Sequence, residues 1–221
     1  MGVEHLCLFM VSGLLLNLTP GPDVLFVVAQ ALRGGVRAGA VAALGIAAGC
    51  FVHIFAAAVG VSALMAASSA AFTLLKWLGA AYLIVTGLRL LMAKTPRDPS
   101  SNAMSLVAAS ARPQGATALK HLFFQGFWTN ALNPKVALFF LAFVPQFIAP
   151  GAASKPLAFL LLGLLFNANA LWVNIGWALA AAWLAGRVTA VQRGLHWLER
   201  TAGLMFIGFG LKLAFSEPPA A

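Results

Sequence analysis

Residues 18–23 are Leu-Thr-Pro-Gly-Pro-Asp, and they interrupt an apolar stretch that runs from Leu6 to Leu32. Proline lacks a backbone N–H and pushes the preceding residue toward extended conformations, so a helix that enters this sequence is expected to end at Thr19. The apolar stretch from Leu122 to Ile148 is interrupted in the same way, by Asn133-Pro134-Lys135. Each stretch covers 27 residues, and the pieces on either side of each interruption are too short to cross a bilayer alone. The sequence therefore predicts two broken membrane helices.

The composition around these stretches excludes a soluble protein. Of the 221 residues, 62% are apolar and 9% are charged, with a mean hydropathy of +0.92, whereas soluble domains contain about 25% charged residues. Each predicted span has enough apolar residues to cross the hydrocarbon layer. The six spans are Leu6 to Leu32, Gly39 to Ala66, Phe72 to Met92, Leu122 to Ile148, Leu157 to Ala185 and Leu198 to Phe215.

The polar segment 94–120 is predicted to be a linker, because prolines, serines and charges are concentrated there. It divides the chain into a first three-helix repeat at 1–93 and a second at 121–221. An odd number of spans in each half makes the second half enter the membrane in the opposite sense. The predicted fold is an all-α integral membrane protein with six transmembrane helices in two inverted three-helix repeats, and the first helix of each repeat is broken at proline.

The distribution of basic residues predicts the orientation. Ten of the 14 Lys and Arg residues lie in the loops or near the span ends of one side, three lie likewise on the other side, and Lys135 lies in the middle of a span. Positive residues favour the cytoplasmic side, so the linker is expected in the cytoplasm and both termini outside. The same placement between spans argues against nucleic-acid binding, in spite of the net charge of +9.

The two breaks are expected to face one cavity, because broken backbone at membrane depth needs protein or water to satisfy its polar groups. A helix that restarts after proline presents free N–H groups and its positive end, which favour a carboxylate. Lys135 and Asp23 are charged side chains at membrane depth, where such residues usually serve function. One hypothesis is that they recognise a zwitterion together. The alternative is that Asp23 caps a helix while Lys135 reaches an interface or pairs permanently with Asp23.

Other polar and small residues within the spans leave their alternatives open. His53 shares a helix face with Cys50 and is interpreted as a packing residue, a proton carrier or a metal ligand. The metal alternative is the weakest, because two ligands fall short of the four that zinc usually has. Asn167 and Asn174 share a face, which lines the cavity or bonds a neighbouring helix. Gly45 and Gly49 indicate close helix packing, within the chain or in a dimer. No paired carboxylates, activated serine or HExxH helix is present, so an enzyme is not predicted.

These residues together resemble the LysE/RhtB family of small bacterial amino-acid exporters, over residues from about Leu6 to Lys212. The resemblance rests on three segments, Leu18 to Asp23, Leu78 to Leu83, and Gly126 to Phe147, which holds Asn130, Asn133-Pro134-Lys135, Phe139-Phe140 and Pro145-Gln146-Phe147. It implies a multi-pass exporter in the bacterial cytoplasmic membrane that moves amino acids or close derivatives outward, driven by protons. The implied partners are an amino-acid substrate, protons and the lipid bilayer, with a homodimer left open and no cofactor or metal.

The residues carried over from this resemblance are those that match its motifs. The substrate-binding candidates are Pro20, Gly21, Pro22, Asp23, Asn133, Pro134 and Lys135. Family members often carry Asn where this chain has Asp23, and the added charge makes Asp23, together with His53, a proton-coupling candidate. Two other hypotheses remain. One is an exporter of a metal ion or another small solute, which only Cys50 and His53 support, and the other is a membrane scaffold that transports nothing.

Overall fold

A computed structural model describes residues 2–19, 21–61, 69–92, 116–149, 151–184 and seven positions between 204 and 215. Within these residues the regular structure is helical, apart from one isolated bridge between Val3 and Ile148. In chain order the helices are α1 (Leu6–Leu18), α2 (Pro22–Ala56), α3 (Ser69–Met92), α4 (Ala116–Ala131), α5 (Pro134–Leu138) and α6 (Lys155–Leu184). A π turn at Ala57–Val61 extends α2, and a π turn at Phe139–Phe143 and a 3₁₀ turn at Val144–Phe147 extend α5.

The described helices confirm the prediction of an all-helical chain with apolar helices of membrane-spanning length. Two described helices, Pro22–Gly60 and Lys155–Trp183, are long and apolar enough to cross a membrane, and α4 with the segment Pro134–Phe147 makes a third, bent by 45°. Most of the predicted linker, the end of the predicted second span and most of the predicted sixth span lie outside the described residues. α4 begins at Ala116, so the last five residues of the segment predicted as linker are helical.

The first break separates α1 from α2, as the prolines predict. Thr19 is extended, with φ −66° and ψ 123°, and its N–H donates to Leu15 O in the last turn of α1. Gly21 is the N-cap of α2 and Pro22 is its first residue. The N–H groups of the first turn have no partner within the helix, so proline loses no hydrogen bond at this position. Pro20 itself lies outside the described residues.

Gly35 divides α2 into two arms. Its φ of 72° and ψ of −169° are not helical, and positive φ is readily adopted only by glycine. A methyl group on Gly39 would lie 2.8 Å from the Cβ of Ala31, although eight residues of straight helix rise about 12 Å. The chain therefore folds back at Gly35, so Pro22–Gly60 consists of two arms and is not one straight helix. The fold lies between Leu32 and Gly39, where the sequence predicts one span to end and the next to begin.

The second break separates α4 from α5. Asn133 is extended at φ −78° and ψ 109°, and its Oδ1 accepts from the N–H of Lys135 at 3.0 Å. Pro134 is the first residue of α5. The Asn133 side chain thus caps the restarted helix, which is a common role for asparagine at this position.

Glycines set the distance between α2 and α4. A Cβ on Gly45 would overlap the carbonyl oxygen of Phe123, and a Cβ on Gly49 would overlap that of Phe127. In return, a Cβ on Gly126 would lie 2.6 Å from Ala42 O. Small residues allow helix backbones in lipid to approach this closely. The predicted Gly45–Gly49 pair therefore packs within the chain.

The first and second broken helices run in opposite directions. Val3 bridges to Ile148, and Glu4 N–H donates to Phe147 O at 2.9 Å, so the start of α1 lies beside the end of the segment that follows α5. The two breaks then meet between these ends. This arrangement places residues from the two halves of the chain around one site.

Candidate functional site

A small cavity lies between two apolar clusters at the breaks. One cluster contains Phe9, Phe139 and Phe166, and the other contains Val27, Ala42 and Ala178 among its members. The cavity has a volume of about 20 Å³, which is room for about one water molecule. Its polar lining side chains come from both halves of the chain and are Asn17, Asp23, Asn130, Lys135, Asn167 and Asn174.

Helix α6 indicates the depth of this cavity. Its 30 residues span about 45 Å, more than the roughly 30 Å hydrocarbon layer. Asn167 and Asn174 lie in its central third, while the buried residues Phe159 and Ala178 on either side are apolar. The cavity therefore lies near the middle of a membrane-length helix.

Lys135 closes the open end of α1. Its Nζ donates to Leu16 O at 2.8 Å and to Thr19 O at 3.0 Å. In an uninterrupted helix, Leu16 O would accept from the N–H of residue 20, and Pro20 has none. The ammonium supplies the missing donor and lies at the negative end of the α1 dipole, which it favours. The partner of Lys135 predicted from the sequence was a substrate or Asp23, and no feature of the sequence indicated these two carbonyls.

Gly21 leaves the space that the lysine occupies. A Cβ at Gly21 would lie 3.4 Å from Lys135 Nζ and 3.5 Å from its Cδ. A larger residue at this position would press on the Lys135 side chain. The glycine of the first break and the lysine of the second break therefore lie in contact.

His53 makes the corresponding bond at the second break. Asn130 O would accept from residue 134 in an uninterrupted helix, and Pro134 has no N–H to donate. His53 Nε2 donates to this carbonyl at 2.8 Å, and Asn133 N–H donates to it at 2.8 Å. The His53 ring also stacks on Phe140, with centroids 6.4 Å apart. His53 is buried and supports the break without lining the cavity itself.

Asp23 lies in the first turn of α2, where the helix dipole favours a negative charge. Its Oδ2 accepts from Asn130 Nδ2 at 2.8 Å. Its Oδ1 is buried and has no hydrogen-bond partner among the described residues. One carboxylate oxygen is thus held in place, and the other is a buried acceptor without a bond.

Two asparagines contribute further oxygens to the cavity. Asn167 Nδ2 donates to Ala47 O at 3.0 Å, which joins α6 to α2. The Oδ1 atoms of Asn167 and Asn130 are buried without a hydrogen-bond partner in the part of the chain that the structure describes. Asn167 and Asn174 both line the cavity, so the two uses proposed for them from sequence, cavity lining and helix bonding, coexist at Asn167.

A wider groove lies on the other side of the breaks. It has a volume of about 890 Å³ and runs between the first arm of α2 and α4. Pro22, Asn133 and Pro134 line one end of the groove, and Arg33 and His121 line the other. The first turn of α2 separates the groove from the cavity, because Pro22 lines the groove and Asp23 lines the cavity.

Phenylalanines pack on the opposite side of the cavity. Phe166 lines the cavity and stacks on Phe139 at 4.6 Å, and Phe139 contacts Phe143 at 5.2 Å. Phe143 contacts Phe147 at 5.1 Å, and Phe147 O is bonded to Glu4 N–H beside the start of α1. These four rings, with Phe9, form the phenylalanine cluster, which fills the space between the cavity and that end of the molecule.

The structure thus divides the residues predicted from the sequence. Asp23 and Lys135 meet at the cavity, with Gly21 against Lys135, while Pro22, Asn133 and Pro134 lie along the groove. Sequence reasoning missed Asn17 and Asn130 as cavity residues, although both are polar positions within one turn of a break. Cys50 lines the cavity without His53, and no group of three His, Cys, Asp or Glu side chains suited to a metal ion occurs among the described residues.

Comparisons with known proteins agree with the motifs. The family model of the LysE type translocator matches residues 14–217. An uncharacterized membrane protein of Pseudomonas aeruginosa is 33% identical over 97% of this chain and 96% of its own length. Leucine efflux proteins of Klebsiella pneumoniae and of an Enterobacter strain are 30% and 29% identical, each over 96% of both chains. No solved structure gives a significant match.

Proposed function

This chain belongs to the family of LysE type translocators, and from that premise we propose that it exports amino acids by secondary active transport. The observation that carries the proposal is the joint cavity of Asp23 and Lys135. Two opposite charges from separate halves line one small cavity at the middle of a membrane-length helix. A zwitterion has one group for each of them. Leucine is the first substrate to test, because the Klebsiella and Enterobacter relatives are named leucine efflux proteins.

The proposed architecture is six transmembrane helices in two inverted repeats. In its favour, the two broken helices run in opposite directions, since Val3 lies beside Ile148. Gly210, at a helical position of the proposed sixth span, packs against Ala80 O of α3. In transporters built from inverted repeats, interrupted helices meet at the substrate site near the membrane midplane, and the repeats move against each other around it.

The cavity is too small for an amino acid, so transport requires the halves to separate there. The groove is the proposed entrance, because it reaches from Arg33 and His121, on the side where basic residues predominate, to the prolines of both breaks. The phenylalanine cluster closes the opposite route. We assign this arrangement to a state closed to the outside, with the groove facing the cytoplasm.

Lys135 is the proposed site for the substrate carboxylate. Its Nζ donates to two carbonyl oxygens of the first break, and a carboxylate is a stronger acceptor than either. Arrival of the substrate would draw Lys135 away from Leu16 O and Thr19 O and free the end of α1. Binding of the substrate would then release a contact between the halves.

Asp23 is the proposed point of proton coupling. An ionised Asp23 attracts the substrate ammonium, and a protonated Asp23 does not. A proton that enters from outside would therefore displace the substrate outward, which is exchange through competition for one carboxylate. In the part of the chain that the structure describes, His53 bonds the Asn130 carbonyl and does not line the cavity, so it is a positioning residue in this mechanism.

The test is efflux of labelled amino acids, leucine included, from proteoliposomes that contain the full-length protein. Lys135→Met should abolish leucine efflux, and Lys120→Met, which neutralises an exposed lysine of α4, should leave it near the wild-type rate. Collapse of the proton gradient should slow wild-type efflux. Wild-type rates in Lys135→Met would remove Lys135 from the mechanism, and no transport of any amino acid in the panel would defeat the proposal.

A further inference from the structure

We infer that the cavity holds a primary ammonium group on three oxygen atoms, Oδ1 of Asp23, Oδ1 of Asn130 and Oδ1 of Asn167. The inference rests on the proposed function and narrows its substrate class to primary amines. It assigns a binding role to Asn130 and Asn167, which the motifs of the sequence did not indicate as substrate ligands.

Hydrogen bonds fix the direction of each oxygen. Asn130 Nδ2 donates to the Asp23 carboxylate at 2.8 Å, and a carboxylate only accepts, so Asn130 Oδ1 points elsewhere. Asn167 Nδ2 donates to Ala47 O at 3.0 Å, and a carbonyl likewise only accepts. Neither amide can be reversed without losing its bond. The oxygens are therefore the ends that remain for a ligand.

All three oxygens share the same unmet requirement. Each is buried and has no hydrogen-bond partner within the described ranges, and the three side chains line the same cavity. Asn130 and Asn167 are 3% and 6% exposed, so bulk water does not satisfy them. Buried acceptors in proteins are almost always paired, and three unmet acceptors around one space indicate a ligand that donates.

The number and charge of the oxygens match an ammonium group. A primary ammonium carries three N–H donors and one positive charge, and the cavity offers these three acceptors, one of them on the Asp23 carboxylate, beside the ammonium of Lys135 and the buried Nδ2 donor of Asn17. Its volume of about 20 Å³ suits a group the size of a water molecule. Lys135, which also lines the cavity, donates from its Nζ to Leu16 O and Thr19 O.

A site of this kind would select against altered amines. An N-methyl group replaces one donor with a carbon that cannot satisfy an oxygen. A 2-hydroxy acid has the same carboxylate and side chain, but it lacks the positive charge and two of the three donors. Both should bind at least about tenfold more weakly than the amino acid, since a hydrogen bond to a charged group contributes more than 1.4 kcal/mol, or tenfold.

The experiment measures competition against labelled leucine uptake by counterflow in proteoliposomes, with leucine, N-methylleucine and 2-hydroxy-4-methylpentanoate as competitors. If the panel identifies another amino acid as the substrate, its own N-methyl and 2-hydroxy analogues replace these. In the wild type, both analogues should need at least about tenfold higher concentration than leucine. Asn167→Ala should weaken leucine about tenfold or more and leave the hydroxy acid little changed, so that the discrimination shrinks.

Asn169→Ala is the matched control. Asn169 lies on the same helix, two residues away, and also has a buried Oδ1 without a partner among the described residues, but it does not line the cavity. It should keep the wild-type ratio of leucine to hydroxy acid. If Asn167→Ala does not reach the membrane, the wild-type competition series still decides the question.

Several results would overturn the inference while leaving amino-acid export intact. One is wild-type protein that transports leucine and accepts the hydroxy acid or N-methylleucine equally well. Another is an equal loss of leucine and hydroxy-acid binding in Asn167→Ala. A third is leucine transport that stops when choline replaces sodium in the wild type but continues in Asn167→Ala. This result would assign the oxygens to a sodium ion. Failure to transport any amino acid would instead defeat the proposed function.

Discussion

The close crossing of α2 and α4 should make Gly49 intolerant of even one methyl group. A Cβ there would overlap Phe127 O and would lie 3.1 Å from both Ala131 N and the Cβ of Asn130. Ordinary contacts lie at 3.4–4 Å, and the atoms in the way belong largely to backbone. Because backbone atoms cannot rotate out of the way as a side chain can, Gly49→Ala has to move α4 away from α2 at the level of the second break.

The magnitude follows from two opposing terms. Overpacking of a close contact costs about 1–3 kcal/mol, and replacing glycine by alanine inside a helix returns up to about 1 kcal/mol. Gly176 isolates the second term, because no atom of the described residues lies within 4 Å of a Cβ placed there. Both variants gain the same helix propensity, so a comparison of the two cancels that gain. Gly49→Ala should therefore be less stable than Gly176→Ala by about 1–3 kcal/mol.

The assay is unfolding of the purified variants in mixed micelles, followed by tryptophan fluorescence as a denaturing detergent is added. Leucine efflux should also fall in Gly49→Ala, since the same displacement separates Asn130 from Asp23. Equal stability of Gly49→Ala and Gly176→Ala would refute the close crossing. A stable Gly49→Ala protein with full efflux would refute the dependence of the site on it.

Three further outcomes are expected. Phe9→Ala, which empties a fully buried position in the phenylalanine cluster, should cost about 3–5 kcal/mol in the same unfolding assay, whereas Phe215→Ala, at a position 82% exposed, should cost little. Asn133→Ala removes the acceptor for Lys135 N–H and should cost about 0.5–2 kcal/mol, while Asn133→Ser, whose hydroxyl can accept the same bond, should keep most of that stability. His53→Phe removes one of two donors to Asn130 O and should cost about 1 kcal/mol; its efflux should still respond to the proton gradient, and loss of that response would make His53 a proton carrier.

The sequence predicted features that depend on local chemistry. Prolines at 20, 22 and 134 have the same effect on a helix in any surroundings, so both breaks were predictable, and Gly45 with Gly49 indicated a close crossing for the same kind of reason. The cavity that Asp23 shares with Lys135 followed from the cost of isolated charges at membrane depth. None of these steps required knowledge of which distant segments meet.

The partners of the polar groups were not predictable, because they depend on contacts between distant segments. Lys135 bonds carbonyls 116 and 119 residues away, and no local pattern encodes that choice. Asn17 and Asn130 are cavity residues because the ends of α1 and α4 face the same cavity. The π and 3₁₀ turns at Phe139–Phe147 were predicted as ordinary helix, although Pro145 was a sign that the helix would not continue to Ile148.

The two breaks satisfy each other across the halves of the chain. Each proline removes the helical N–H donor of the carbonyl four residues before it, which is Leu16 O in the first half and Asn130 O in the second. Lys135, from the second half, donates to Leu16 O, and His53, from the first half, donates to Asn130 O. A movement that separates the halves at the cavity must therefore expose at least one carbonyl that lacks a helical partner. Because an unpaired carbonyl is costly away from water, separation is favourable only when water or a substrate enters as the bonds part. The prolines that interrupt the two helices thus make closure of the site depend on what the cavity contains.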